Sequence, residues 1–220
     1  MQSVWQLNHR PELLLFFTGW GMDARPTAHL ATGRYDVCTC FNYNELNAPD
    51  AERWQQYRSV TVAAWSMGVW AAEQVLMGLK LPIEQAVAIN GTPFPVDDVR
   101  GIPAATAQAT LDGLTPESLR RFYRRMFGSG NLLKEMELSD RLPLIDFDER
   151  REELARIIAR RPYPETGFAW NKAIIGAGDA IFPPENMRAA WLGKAEIVEI
   201  DAPHYPFHRF KTWEEIIGEQ

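Results

Sequence analysis

Val60-Thr61-Val62-Ala63-Ala64-Trp65-Ser66-Met67-Gly68 decides how this chain is read, because an apolar, β-branched run reaches a serine and passes at once into helix-like sequence. A serine on a tight strand-to-helix turn reads as a nucleophile elbow. Its backbone is forced to positive φ, and a large side chain two residues before or after would clash where strand and helix cross. Ala64 and Gly68 are small enough. The turn lifts the hydroxyl clear of the sheet and leaves the Met67 amide free to donate to a developing oxyanion. So short a pattern also arises by accident, and its surroundings must decide.

Outward from the elbow, six short runs read as buried strands: Leu13 to Phe17, Tyr35 to Cys40, Ser59 to Ala64, Ala86 to Asn90, Lys172 to Gly176 and Glu196 to Ile200. Helix-length segments lie among them, at Pro26 to Ala31, Met67 to Gly78 and Pro184 to Leu192. A last helix, Thr212 to Gly218, follows. Alternating strands and helices predict an α/β fold, with a mainly parallel six-stranded sheet covered by helices on both faces. Polar chemistry should then gather just after the carboxyl ends of strands.

Composition fits one globular unit. The chain has 220 residues, 46% hydrophobic and 24% charged, enough for a sizeable core. Leu13 to Phe17 is too short to span a membrane, and no signal-peptide pattern precedes it, so a cytoplasmic protein is expected. A net charge of -6 argues against a dedicated nucleic-acid binder. No zinc spacing, Walker loop or dinucleotide fingerprint occurs, so no metal or cofactor is implied. Cys38 and Cys40, two apart in a probable strand, share a face but cannot easily close a disulfide, and read as reduced core thiols.

One interval breaks the rhythm. From Pro93 to Glu165 only helical periodicity is found, which predicts a helical lid over residues 93–165, inserted into a core of residues 1–92 and 166–220. Within it Leu119, Phe122, Tyr123, Met126 and Phe127 form one stripe, with Arg120, Arg121, Arg124 and Arg125 on the opposite arc. A second lid helix, roughly Asp148 to Arg161, begins acidic and ends basic, as the helix dipole favours.

His204 follows the last predicted strand and is placed to act as a general base, which a serine hydroxyl needs at neutral pH. The imidazole needs a carboxylate to fix its tautomer, and Asp179 lies just past the fifth predicted strand. Asp201 is the runner-up acid, but three residues upstream on the same turn it would struggle to reach the ring. The chain order Ser, Asp, His is that of α/β-hydrolases. A second oxyanion donor is expected from the loop after the first central strand, and Thr18-Gly19-Trp20-Gly21-Met22 can aim the Trp20 amide at the same spot as the Met67 amide. The Trp20 side chain would wall the acyl site. Each feature has a plainer reading as cap, turn or surface residue; four of them, in order and each after a strand, favour chemistry.

Phe17-Thr18-Gly19-Trp20-Gly21-Met22, Ala64-Trp65-Ser66-Met67-Gly68 and Ala202-Pro203-His204-Tyr205-Pro206-Phe207 resemble the pimeloyl-acyl-carrier-protein methyl ester esterases of biotin synthesis. The short chain, with no extra strands before the Gly-Trp-Gly loop, resembles the BioG branch more than BioH. The resemblance implies an α/β-hydrolase fold and hydrolysis of the methyl ester of pimeloyl-acyl-carrier protein, with Ser66 as nucleophile, His204 as base, Asp179 as acid, and the Trp20 and Met67 amides as oxyanion hole. Thr18 stands where the family usually has histidine, and Ala64 where it has glycine; neither change removes a catalytic atom. Arg121, Phe122 and Tyr123 resemble the place where a relative's lid meets the substrate and its acidic carrier. By that likeness Phe122 and Met126 would line the acyl channel, and Arg121, Arg124 and Arg125 would dock the anionic carrier and its phosphopantetheine. The rivals are a broad short-chain esterase, an acyl thioesterase and a catalytically silent binding protein of the same fold.

Overall fold

In the computed structural model, which describes residues 1–218, the apolar runs become the middle of a seven-stranded sheet. Its strands are β1 (Gln2–Gln6), β2 (Glu12–Phe17), β3 (Tyr35–Phe41), β4 (Ser59–Trp65), β5 (Ile83–Ile89), β6 (Lys172–Gly176) and β7 (Glu196–Ile200). They lie in the order β1-β3-β2-β4-β5-β6-β7, and every pair is parallel except β1 with β3. The six predicted strands are all present, but six is corrected to seven. Gln2-Ser3-Val4-Trp5-Gln6 alternates between exposed and half-buried because it is an edge strand with one face to solvent, so it carries no continuous apolar run. One strand beyond the predicted Leu13 to Phe17 run therefore precedes the Gly-Trp-Gly loop.

Helices α1 (Ala51–Trp54) and α2 (Gly68–Leu76) flank β4 in sequence, and α7 (Pro184–Trp191) and α8 (Trp213–Ile217) follow β6 and β7. The expected helix over 26–31 shrinks to a single 3-10 turn, Arg25–Thr27. The backbone leaves the helical path there because Ala31 donates its N–H to the Lys211 carbonyl and Trp213 returns a bond to the Ala31 carbonyl.

Between β5 and β6 run four helices: α3 (Ala104–Asp112), α4 (Pro116–Met126), α5 (Gly130–Leu138) and α6 (Phe147–Ala159). Local chemistry starts and stops them. Thr115 and Ser118 form a reciprocal capping box ahead of α4, Pro116 sits in its first turn, and Arg124 and Arg125 close its last. Asp146 caps α6 by accepting from the Asp148 and Glu149 amides, and that helix ends at Ala159, short of Arg161.

Alternation along the strands sends side chains to two cores. Leu13, Leu15 and Phe17 of β2 pack with Val69 and Trp70 of α2 and with Leu154 and Ile157 of α6. Leu14 and Phe16 pack on the other face with Leu119, Tyr123, Met126 and Phe127 around α4, and with Phe207 and Trp213. All five apolar β2 side chains are fully buried, each worth roughly 1.5–3 kcal/mol relative to exposure, so β2 is fixed in the sheet centre. Cys38 and Cys40 are buried on β3 and unbonded, with Sγ atoms 3.9 Å apart.

Candidate active site

Strand β4 ends at Trp65, and Ser66 takes φ of 60° before α2 begins. That left-handed turn is possible because its neighbours are small. A Cβ on Gly68 would lie 2.2 Å from the Thr18 carbonyl oxygen, and one on Gly91 would lie 2.1 Å from the Ser66 carbonyl oxygen. Ala64, on the strand side, is fully buried and leaves no space for more. Gly91 is half of what makes the elbow fit, and only the Asn90-Gly91 turn dipeptide after an apolar strand marks it in the sequence.

Ser66, His204 and Asp179 converge. His204 Nε2 lies 3.0 Å from Ser66 Oγ, and Nδ1 lies 2.7 Å from Asp179 Oδ2. Asp179 Oδ1 accepts from the Ile181 and Phe182 amides at 2.8 and 2.9 Å, so both carboxylate oxygens are engaged. All three residues are buried. With Nδ1–H given to the carboxylate, Nε2 is left as the acceptor for the serine proton. Asp201, the alternative acid, is exposed and takes no part.

Three further side chains hold the histidine in place. The Phe182 ring lies parallel to it, 5° between planes and 5.9 Å between centroids, and the Trp65 ring is 5.3 Å away on a tilt. Trp65 Nε1 donates to the His204 carbonyl at 2.8 Å. Asn90, fully buried with φ of 45°, donates Nδ2 to the Pro203 and His204 carbonyls and accepts from the Gly176 amide at 2.6 Å. Asn90 thus ties the ends of β5 and β6 to the histidine loop. The sequence reading placed it at a strand end and gave it no role, since its contacts exist only after folding.

The Gly-Trp-Gly loop faces the same point. A Cβ on Gly19 would sit 3.1 Å from Ser66 Cβ and 3.4 Å from its Oγ, so a side chain there would crowd the serine. Among the described residues the Trp20 and Met67 amides have no hydrogen-bond partner, and both residues border the cavity above Ser66. That cavity, about 780 Å³, is mostly apolar and roofed by α3 and α4. Trp20, Phe122 and Met126 line it, with the Trp20 and Phe122 rings edge to face at 5.3 Å. Met126 is nearly fully buried, and its carbonyl also accepts from the Tyr205 amide, so it doubles as a core residue.

The arginines divide. Arg121 and Arg125 border the cavity, whereas Arg124 lies with Arg121 and Arg120 in a shallow groove between α4 and α5. Arg121, Arg124 and Arg125 are exposed and form no ion pair among the described residues, while Arg120 pairs with Glu137 at 3.0 Å. Among those residues no cluster of metal-ligating side chains occurs and no helix is long and apolar enough to cross a membrane.

Comparison with known proteins places this geometry among relatives. A family model described as pimeloyl-ACP methyl esterase BioG matches residues 1–216. The crystal structure of BioG from Haemophilus influenzae superposes with a TM-score of 0.90 at 33% identity, covering 99% of this chain and 100% of that one. A malonyl-[acyl-carrier protein] O-methyltransferase of Bacteroides fragilis is 46% identical over 201 residues. The match takes in 89% of this chain but only 40% of that protein's length. A lipase-esterase related protein of Clostridium acetobutylicum shares the fold alone, with a TM-score of 0.66 at 15% identity over 93% of this chain and 92% of its own. The expected α/β-hydrolase fold therefore holds, with one strand more than the sequence predicted.

Proposed function

This chain belongs to the pimeloyl-ACP methyl esterase BioG family, and from that premise we propose that it is a serine carboxylesterase that hydrolyses the methyl ester of pimeloyl-acyl-carrier protein. One observation carries the reading: Ser66, His204 and Asp179 are joined by bonds of 3.0 and 2.7 Å at the base of an apolar cavity. Ser66 Oγ attacks the ester carbonyl while His204 Nε2 takes its proton. The tetrahedral oxyanion receives the Trp20 and Met67 amides, and its collapse expels methanol on the proton that His204 returns. Water, deprotonated by the same nitrogen, then releases the free carboxylate from the acyl-enzyme.

In this reading residues 93–165 are a lid, and Phe122, Met126 and the Trp20 ring hold the acyl chain. Arg121, Arg124 and Arg125 would receive an anionic carrier and its phosphopantetheine, because they are cations without an ion pair among the described residues, at the cavity mouth and the groove beside it. The longer Bacteroides fragilis relative is named for transferring a methyl group to a carrier-bound acyl chain. Removal of such a methyl group is the complementary reaction, which supports an ester on a carrier as the substrate.

Methyl pimeloyl-carrier protein offers the ester and the thioester on one molecule, so its products decide. Release of methanol with the acyl group still on the carrier is expected. Release of the acyl group from phosphopantetheine would make the protein a thioesterase, and no reaction at all would leave the silent binding protein. Complementation of a biotin-requiring strain that lacks its own methyl esterase, with Ser66 and with Ser66→Ala, tests the same reading in cells.

A further inference from the structure

Helix α6 places two buried charged side chains, Arg150 and Glu153, against the loop that carries Trp20. In sequence they look like an ordinary solvent-facing pair three residues apart on a helix. In the fold Glu153 Oε2 accepts the Gly21 amide at 2.9 Å and Oε1 accepts the Tyr43 amide at 2.8 Å. Arg150 donates Nε to the Gly21 carbonyl, and its own carbonyl accepts the Trp20 indole N–H at 2.7 Å. Tyr43 completes the enclosure by donating its hydroxyl to the Thr18 carbonyl at 2.7 Å. The Trp20 peptide unit is thus bracketed by bonded backbone on both sides. Gly21 has φ of 65°, and a Cβ there would lie 2.8 Å from three atoms of the Arg150 side chain, so the fit admits no substitute.

We propose that Glu153, seconded by Arg150, is the positioning residue that aims the Trp20 amide at the reacting oxygen. The carboxylate holds the amide of Gly21, one peptide unit along, and thereby fixes the rotation of the loop. A two-acceptor group is required, because Gly21 and Tyr43 each present an N–H and, among the described residues, neither has another partner. This inference rests on the esterase reading, since it assigns the loop a part in that chemistry.

The carboxylate is also poised to titrate. Burial pushes Glu153 up to about 7, against the Tyr43 and Gly21 amides and Arg150, which draw it down, while Glu149 draws it up. The other groups facing it are the buried Tyr43 hydroxyl, itself raised by burial, and the Met1 amino group, with the Cys40 thiol beyond Tyr43. Protonated, Glu153 presents an O–H where one amide needs an acceptor, and the loop loses a tether. Stability runs the other way. The folded chain holds this proton more tightly than the unfolded chain, so the contribution of the group is full below the ordinary carboxylate range and is lost as pH rises through about 7. The tethering form is the less stable one, as is common where strain serves a site.

The test is Glu153→Gln, which keeps shape but can offer only one acceptor oxygen. With a small soluble ester, kcat/KM at pH 8.5 should fall about 10- to 100-fold, somewhat less than for outright loss of an oxyanion donor, through kcat rather than KM. Affinity for hexyl trifluoromethyl ketone, whose adduct with Ser66 carries an oxyanion, should fall by the same factor, whereas the parent methyl ketone should bind unchanged. Wild-type kcat should fall on the acid side as Glu153 takes up its proton at about 7, and the variant, with no carboxyl to protonate, should lack that component. Unaltered kcat in the variant overturns the inference, and so does equal weakening of both ketones. Should the variant fail to fold, Arg150→Lys, which keeps the charge but loses the Nε–H on the Gly21 carbonyl, is compared on the same two ketones, and equal weakening or no change overturns the inference. If wild type and Ser66→Ala are equally inert, the esterase reading itself falls and takes this inference with it; an active, Ser66-dependent wild type beside a normal Glu153→Gln sinks only the positioning role.

Discussion

The sheet and the four helices between β5 and β6 are built on opposite plans. The sheet hides almost everything: β2, β3 and β4 carry almost no exposed side chain, and the bonds that join Ser66, Asp179 and His204 are made by the ends of β4, β6 and β7. The helical segment shows one charged face to solvent and lends its apolar stripe to both cores. The difference teaches a division of labour. The geometry at Ser66 is set by strands buried on both faces, while the roof over the cavity is set by helices with one face in solvent. Helix α6 crosses that division, since Arg150 and Glu153 reach from the roof into the loop beside Ser66.

The hardest way to break the comparison is to strike the sheet side. Ser66→Ala, or Asp179→Asn, should lower kcat for the methyl ester by about 10⁴-fold or more while the melting temperature stays within a few degrees. A comparable loss of folding stability would mean that these residues hold the fold together rather than act.

Next in size, Gly91→Ala should destabilise the protein by about 2–3 kcal/mol in urea unfolding, because the new methyl meets the Ser66 backbone and not a yielding side chain. An unchanged midpoint would show that the elbow has slack.

On the helical side, reversing Arg121 and Arg124 together to glutamate should raise KM for the carrier-bound ester about tenfold, near 1.4 kcal/mol, and spare a small soluble ester. Equal effects on both substrates would remove docking from the roles of α4.

Smallest of all, Arg120→Ala breaks an exposed pair with Glu137 and should cost under about 0.5 kcal/mol of stability. A larger cost would bring the roof closer to the sheet in plan.

Legibility follows the same division. Strands β2 to β6 could be read because parallel strands buried in the sheet are largely continuous apolar runs, and β7, the other edge, could be read from Ile197, Val198 and Ile200; the bounds of β6 and β7 match those expected. Strand β1 could not, since its alternation is that of an edge. The positions of Ser66, Asp179 and His204 were legible because each follows a strand, where this architecture collects polar groups. Asn90, Gly91 and Glu153 were not. Their parts depend on distant backbone, the histidine loop for Asn90, the Ser66 carbonyl for Gly91 and the Gly21 amide for Glu153, and no local pattern announces such contacts.

The slot that holds His204, with Phe182 parallel to the ring, Trp65 tilted beside it and Asp179 bonded to Nδ1, keeps Nε2 turned to Ser66. In the proposed esterase reaction one nitrogen would therefore serve both half-reactions, and the departing alcohol and the arriving water would occupy the same seat in succession. On that proposal, added ethanol or propanol would compete for the seat and divert the acyl group into a new ester, so the ratio of transesterified to hydrolysed product would measure how well the site tells water from an alcohol.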